Sequence, residues 1–497
     1  MRKYIFLTLL FSPMINWALQ DQNTEYKIDV DHLMNTQKDT VNNVLFIIVD
    51  DLSNTLGCYG MEEVITPNLD GLADRGLLFN RAYSQVSLCN PSRASILTGK
   101  RPNNLKIWNN TPHFRGLHPK IKTLPEHFKD NGFYTVGIGK IFHNWVHPIQ
   151  GDPQSWSESQ TYHWGPHYSD WYVPGQPFQL HTQIPKGPAI QSVDVMDEAY
   201  LDGRIANAAV NKLRELSQTS FFLAVGFWKP HLPFNAPKKY WDLYDRNSLP
   251  KVDYPRPVEA VPELAYVDSK EARSYTDVSK KGEISEAKQR ELRHGYLAAI
   301  SYLDAQVGKV LDELDQLGLT DKTTIVFVSD HGYHAGEHGQ FGKWTNFEIG
   351  TRVPLIISAP GITQPGTTSN SIIELVDLFP TLLELHGLPS LINDNKLDGL
   401  SLVPLLEDPA LKLKSVAISQ ISRPLGAGVN IDVLGSTIRD ESYRYTAWKD
   451  LKSNEIIEEE FYNLSNGPFK IDNQIRNPVY SPKIDSLQYQ LFEILKN

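Results

Sequence analysis

The sequence predicts an α/β protein: a large mixed, mostly parallel sheet sandwiched by helices, with a small C-terminal α+β subdomain. Three observations predict it. Asn43-Val44-Leu45-Phe46-Ile47-Ile48-Val49 and Thr323-Thr324-Ile325-Val326-Phe327-Val328-Ser329 are unbroken apolar runs rich in β-branched residues, as in strands buried on both faces. Before the second run, Leu297, Ile300, Leu303, Val307, Val310, Leu311 and Leu314 recur at helical spacing over 295–317. Near the end, Ser436-Thr437-Ile438-Arg439 and Tyr443-Arg444-Tyr445-Thr446-Ala447-Trp448 alternate as antiparallel strands do. Short apolar strands alternating with amphipathic helices imply a sheet with both faces covered.

The 497 residues exceed one average domain and leave room for a smaller unit beside a large one. Hydrophobic residues make up 41% and charged residues 21%, which excludes wholesale disorder, collagen and simple coiled coil. A net charge of −10 lacks the basic excess of a nucleic-acid binder. A locally positive site could still take an anion. The two cysteines, Cys58 and Cys89, exclude a disulfide scaffold.

Taken in order, the chain opens with Arg2 and Lys3 before an apolar run, Tyr4 to Phe11, that breaks at Pro13. This predicts a secretory signal over residues 1–20, cleaved near Ala18–Gln20. The run is too short to span a bilayer, and no cysteine follows it for a lipid anchor. The expectation is an exported protein with no stable membrane anchor. Residues 21–40 read as a loose arm, 41–420 as the catalytic domain and 421–497 as the C-terminal subdomain.

The first buried strand ends in Asp50-Asp51, at the edge where open parallel sheets bind ligands. The pair could also cap a helix. Cys89 stands at a turn ahead of a helix expected to begin near Ser92. A thiol at a helix N-terminus beside Arg93 is electropositively placed and reactive; the alternative is a buried structural cysteine, the reading favoured for Cys58. Phe221 to Phe227 and Pro354 to Ser358 are further strands, and the strand at 323–329 ends in Asp330-His331. Residues 145–190 and 250–290 lack periodicity, as expected of lids or substrate walls.

The most specific segment is Cys89-Asn90-Pro91-Ser92-Arg93-Ala94-Ser95-Ile96-Leu97-Thr98-Gly99. It resembles the signature of type I sulfatases of the alkaline phosphatase superfamily, and the fold expected is alkaline phosphatase-like. Further matches, in the family's order, are Asp50-Asp51, Gly139-Lys140-Ile141-Phe142-His143, Phe227-Trp228-Lys229-Pro230-His231, Asp330-His331 and Gly342-Lys343-Trp344. Lys229-Pro230-His231-Leu232-Pro233-Phe234, Gly336-Glu337-His338-Gly339 and Ser419-Gln420-Ile421-Ser422-Arg423-Pro424 are similar to the iduronate-2-sulfatase branch. Phe461-Tyr462-Asn463-Leu464-Ser465-Asn466-Gly467-Pro468 departs from the family's C-terminal pattern, which touches subdomain packing.

The resemblance implies oxidation of Cys89 to formylglycine (3-oxoalanine) by a formylglycine-generating maturation enzyme. It also implies one Ca²⁺ held by Asp50, Asp51, Asp330, His331 and residue 89. Carboxylates alone suit Ca²⁺ or Mg²⁺, and the histidine leaves Zn²⁺ open on spacing. The formylglycine hydrate would attack the sulfate ester, with Asp330 or its neighbour orienting its proton, and Lys140, Lys343 and Arg93 neutralising sulfuryl charge. His231 would protonate the sugar leaving group and His143 would act as base when sulfate departs. Substrate contacts are expected from Lys140, Lys229, His231 and Lys343, with Lys229 meeting a uronate carboxylate. His334 and His338 could touch the sugar or could be structural. The implied substrate is a sulfated oligosaccharide bearing a 2-O-sulfated uronate, from a glycosaminoglycan or ulvan. The implied setting is a bacterial periplasm or secretion, ahead of a lysosome. Phosphonate or phosphate ester hydrolysis on the same fold, and a sulfated-glycan binder with a decayed site, are the competing readings.

Overall fold

The computed structural model describes residues 43–143, 151–163, 187–249, 251–252, 260–389, 397–426, 430–467, 469 and 471–496. The leader, the arm and most of the 145–190 insertion lie outside the described residues.

In chain order, the elements that place the site are β1 (Asn43–Asp50), β2 (Leu77–Phe79), α1 (Cys89–Thr98), β3 (Tyr134–Gly139), α2 (Leu201–Leu216), β4 (Phe221–Pro230), α3 (Glu286–Gln316), β5 (Thr323–Ser329), β6 (Leu355–Ser358) and β7 (Thr367–Ser369). The C-terminal part holds β8 (Ala417–Arg423), β9 (Val433–Arg439), β10 (Tyr443–Asp450), β11 (Ile456–Asn463) and α4 (Ser481–Lys496). The large sheet has the order β7-β2-β6-β5-β1-β4-β3. Its centre is parallel: β1 pairs with β4 and β5, and β3 with β4. The strand at 355–358 runs antiparallel to β5; an apolar run carries no mark of strand direction.

Successive side chains of a strand point to opposite faces. Leu45, Ile47 and Val49 of β1 pack in one core with Ile205 and Leu213 of α2 and Leu297, Ile300 and Val307 of α3. Val44, Phe46 and Ile48 pack in the other with Ile96 and Leu97 of α1 and Leu382. This two-sided burial explains why β1 reads as unbroken apolar sequence. Helix α3 begins at Glu286, nine residues before the apolar periodicity, because Ser285 caps it by accepting from the Lys288 backbone N–H.

β8 to β11 form an antiparallel four-stranded sheet in sequence order. Helix α4 packs its Ile484, Leu487 and Leu491 with Ile418, Ile438 and Tyr445 of that sheet. Among the described residues, no helix is long and apolar enough to cross a membrane.

Candidate active site

The carboxyl ends of β1, β3, β4 and β5 converge, and α1 points its N-terminus at them. Asp50 ends β1, and Asp51 turns away in the left-handed region at φ 65°. Among non-glycine residues, aspartate tolerates this conformation, and such outliers concentrate at functional sites. Gly139 ends β3 at φ 80°, and a Cβ there would lie 2.1 Å from the Gly226 carbonyl oxygen. Only glycine fits, and the tight approach sets Lys140 beside β4.

Helix α1 starts at Cys89, three residues earlier than its sequence suggests. Pro91 is tolerated there because the first turn's N–H groups have no intrahelical acceptor. The Cys89 Sγ lies 3.3 Å from Asp50 Oδ1 and 3.3 Å from His331 Nε2. Burial pushes the Cys89 thiol well up, and the Asp50 charge adds to this.

Around this point the charges interlock. Lys140 Nζ pairs with Asp50 Oδ2, and Lys343 Nζ donates to Asp51 Oδ1 at 2.8 Å and Oδ2 at 3.0 Å. Arg93 Nε donates to Asp330 Oδ2 at 2.7 Å. His331 Nδ1 is 3.3 Å from Asp51 Oδ1. His231 Nε2 is 3.1 Å from Glu271 Oε1, and Lys343 is 3.3 Å from Glu271 Oε2. Burial and the Asp50 charge push the Asp51 carboxyl up to about 7 against the pull of Lys343. Burial acts upward on Asp50 too, yet Lys140, His231, Lys343 and Arg93 hold it well below the usual range. Burial and Lys343 lower His231.

Ligand atoms of Asp50, Cys89, Asp330 and His331 lie within 4.8 Å of one another, all buried. The cluster holds four buried carboxylates, including Glu271, against three permanent cations, Arg93, Lys140 and Lys343. Oxygen-rich donors with excess negative charge fit a hard divalent cation.

A cavity of about 230 Å³ opens above this cluster, lined by Cys89, His143, His231, Glu271 and Lys343 among others. Arg93, Lys140 and Lys229, expected to face the sulfate, are not among the residues of this cavity wall. Arg93 is fully buried and donates to Asp330 and to the carbonyls of Lys140, Ile141 and Val49. It positions Asp330 and Lys140 and does not line the cavity. Lys229 donates from Nζ to the Pro233 and His231 carbonyls at 2.6 and 3.4 Å, and it too is absent from the cavity wall. The proline-rich turn draws its ammonium inward. His334 and His338 are structural in their contacts: Nε2 of the first is 2.8 Å from Thr345 Oγ1, and that of the second is 2.8 Å from the Phe469 carbonyl.

Sequence reasoning missed Glu271, Asn110, Lys270, Ser274 and Trp344 in the wall. Lys270, Glu271 and Ser274 lie in the 250–290 segment read as a substrate wall. Trp344, at φ 70°, directly follows Lys343 in the matched motif.

A mixed sheet with helices packed on both faces thus carries a buried charge cluster at its strand ends. The sulfatase family model matches residues 42–388, and that of the N-sulphoglucosamine sulphohydrolase C-terminal region matches residues 336–497. The chain belongs to the sulfatase family and is a sulfuric ester hydrolase. It is 34% identical to iduronate 2-sulfatase of Mus musculus, over 90% of this chain and 93% of that protein. A solved protein in complex with its substrate D-glucosamine-2-N,6-O-disulfate superposes with a TM-score of 0.74 at 23% identity, covering 91% of this chain and 97% of that one. The phosphonate monoester hydrolase of Silicibacter pomeroyi does so with a TM-score of 0.72 at 23% identity, covering 91% and 94%.

Proposed function

We propose that the protein is an exported carbohydrate sulfatase that removes the 2-O-sulfate of an iduronate-type uronic acid from a sulfated polysaccharide, a glycosaminoglycan or ulvan. The observation that carries this is the near full-length similarity to iduronate 2-sulfatase. The leader over 1–20 directs it to the periplasm or outside the cell. The catalytic part, expected over 41–420, gives way to the subdomain at Ala417, where the first strand of the C-terminal sheet begins.

In this reading Asp50, Asp330, His331 and residue 89, whose ligand atoms lie together, would hold Ca²⁺, with Asp51 beside them at 3.3 Å from His331. A cation held by these residues would supply Lewis-acid stabilisation of negative charge developing beside residue 89. Oxidation of Cys89 by the maturation enzyme gives an aldehyde, and addition of water to it gives a geminal diol, one oxygen able to attack sulfur and the other able to expel sulfate afterwards. Lys343 lines the cavity and offers a point charge to sulfuryl oxygens. Lys140 holds Asp50 ionised behind residue 89. His231 Nδ1 faces the Leu232 carbonyl at 2.6 Å, so Nδ1 carries a proton. Its Nε2 lies 3.1 Å from Glu271 Oε1, and in the doubly protonated ring, which Glu271 favours against burial and Lys343, it would give a proton to the departing sugar oxygen. A sugar alkoxide leaves poorly, so this protonation is worth roughly 10²–10⁴ in rate. His143, on the cavity wall, takes the proton when sulfate departs.

The test is sulfate release by matured protein from 2-sulfated iduronate oligosaccharides, ulvan oligosaccharides and an aryl sulfate, with Cys89→Ala as control. Release from a 2-sulfated uronate that needs Cys89 supports the reading. Activity on the aryl ester alone removes the uronate. The likeness to a phosphonate monoester hydrolase favours a second reading, phosphonate or phosphate ester hydrolysis. Faster turnover of those esters than of matched sulfates would establish it.

A further inference from the structure

The catalytic cavity, at about 230 Å³, is below the roughly 300–1,000 Å³ of ordinary small-molecule sites. It takes one sulfated sugar at most, and the rest of an oligosaccharide needs another surface. A groove of about 1,130 Å³ adjoins it, and Lys270, Ser274 and Leu425 line both. A chain with its sulfated end in the cavity leaves across this neck.

The groove is built in advance. One wall is the segment Glu263 to Ser274, and the other is the C-terminal sheet at Val433, which opens β9, and at Ile457 and Glu458 of the edge strand β11. Arg423 is buried and ties them together, donating from Nε to the Leu264 carbonyl at 2.9 Å and from a terminal nitrogen to the Trp344 carbonyl at 3.0 Å. Lys270 Nζ crosses the neck to the Leu425 carbonyl at 2.9 Å, using one of its three donors. Fixed walls lower the ordering cost of binding. The Arg423-Pro424 end of the sequence motif at 419–424 thus serves the groove wall.

The lining also selects an occupant. Tyr266, Val433 and Ile457 form an apolar strip, and Ile457 remains 46% exposed. Glu458 stands beside it as a hydrogen-bond acceptor, Asp432 is paired with Lys452 at 3.3 Å, the Asp268 charge is matched by Arg273 at 2.7 Å, and Lys270 and Lys280 add donors. Acceptors and donors flanking an apolar strip suit pyranose rings, which present C–H faces and hydroxyls. We propose that this groove binds the sugars that follow the sulfated uronate in the same oligosaccharide, an inference that rests on the substrate reading above.

The experiment compares wild type, Ile457→Asp and Glu458→Ala, neither position touching the catalytic cavity. Each is assayed for sulfate release from the 2-sulfated uronate as a monosaccharide and as the non-reducing end of a tetrasaccharide. Wild type should favour the tetrasaccharide in kcat/KM by about tenfold or more, since remote binding energy is then realised. Each variant should lose most of that advantage and keep monosaccharide turnover within about twofold. Equal kcat/KM on the two substrates in wild type, or equal losses on both in the variants, would overturn the groove and leave the uronate reading standing. Release from neither, with an aryl sulfate still turned over, would overturn both.

Discussion

Glu271 Oε1 lies 3.1 Å from Nε2 of His231, with the same carboxylate 3.3 Å from Lys343 through its other oxygen. A residue from the irregular 250–290 segment therefore bridges His231 and Lys343, two side chains of the cavity wall. Because His231 Nδ1 faces a carbonyl and carries one proton, a second proton on Nε2 makes the ring an imidazolium, which Glu271 favours and which burial and Lys343 oppose. Glu271 is a positioning residue in this arrangement. His231→Ala is expected to lower kcat on a sugar sulfate by roughly 10²–10⁴ and on a nitrophenyl sulfate by far less, since a phenolate leaves without protonation. Glu271→Gln should show the same split with a smaller loss, about tenfold on the sugar ester, together with a changed pH–rate profile. Equal losses on both esters would sink this assignment.

The side chain at 89 makes a sharper prediction. A serine there could be sulfated, but it has no second oxygen on its carbon with which to expel sulfate. Cys89→Ser is expected to give at most one equivalent of product and then stop. Intact-protein mass spectrometry should find a stable sulfuryl adduct on residue 89. Steady turnover by Cys89→Ser would contradict a formylglycine mechanism.

How far the sequence could be read follows from these groups. Asp50-Asp51 and Asp330-His331 were legible because each follows a strand buried on both faces, which leaves an unbroken apolar signature. Cys89 was legible from its neighbours in the motif. Side-chain direction was not. Arg93 turns under the sheet to three carbonyls and Asp330, and Lys229 turns into its own proline-rich turn; nothing in local spacing sets either path. Glu271 lies 40 residues from His231 in the chain, and no pattern around it is periodic. The groove was equally hidden, since β9, β11 and the 263–274 segment meet only through tertiary packing.

Removal of the cation is expected to act on stability as well as activity. Without it, buried carboxylates outnumber permanent cations in the cluster, and burial pushes Asp51 up to about 7. A chelator should abolish sulfate release and lower Tm, and Ca²⁺ should restore both. At about a hundredfold excess over Kd the ion contributes roughly 2.7 kcal/mol. Asp330→Asn should cut this Ca²⁺-dependent rise in Tm. A chelator that leaves Tm and activity untouched would rule out the metal site.

Acid should also destabilise the fold through His338, remote from the cavity. It is buried beneath Phe347, with Nε2 on the Phe469 carbonyl. Burial pushes its pKa down to about 4, and Arg444 pushes the same way. An unfolded histidine titrates near 6.5. Above that pH both states are neutral and nothing is lost. Between about 6.5 and 4 only the unfolded chain takes the proton, so stability falls by about 1.4 kcal/mol per pH unit. His338→Asn removes this titration, and asparagine tolerates the left-handed φ of 55° that the position requires. Urea midpoints measured at pH 7.5 and pH 5 should therefore lie closer together in His338→Asn than in wild type. An unchanged gap would show that His338 is protonated in the folded protein or that its site opens before the rest unfolds.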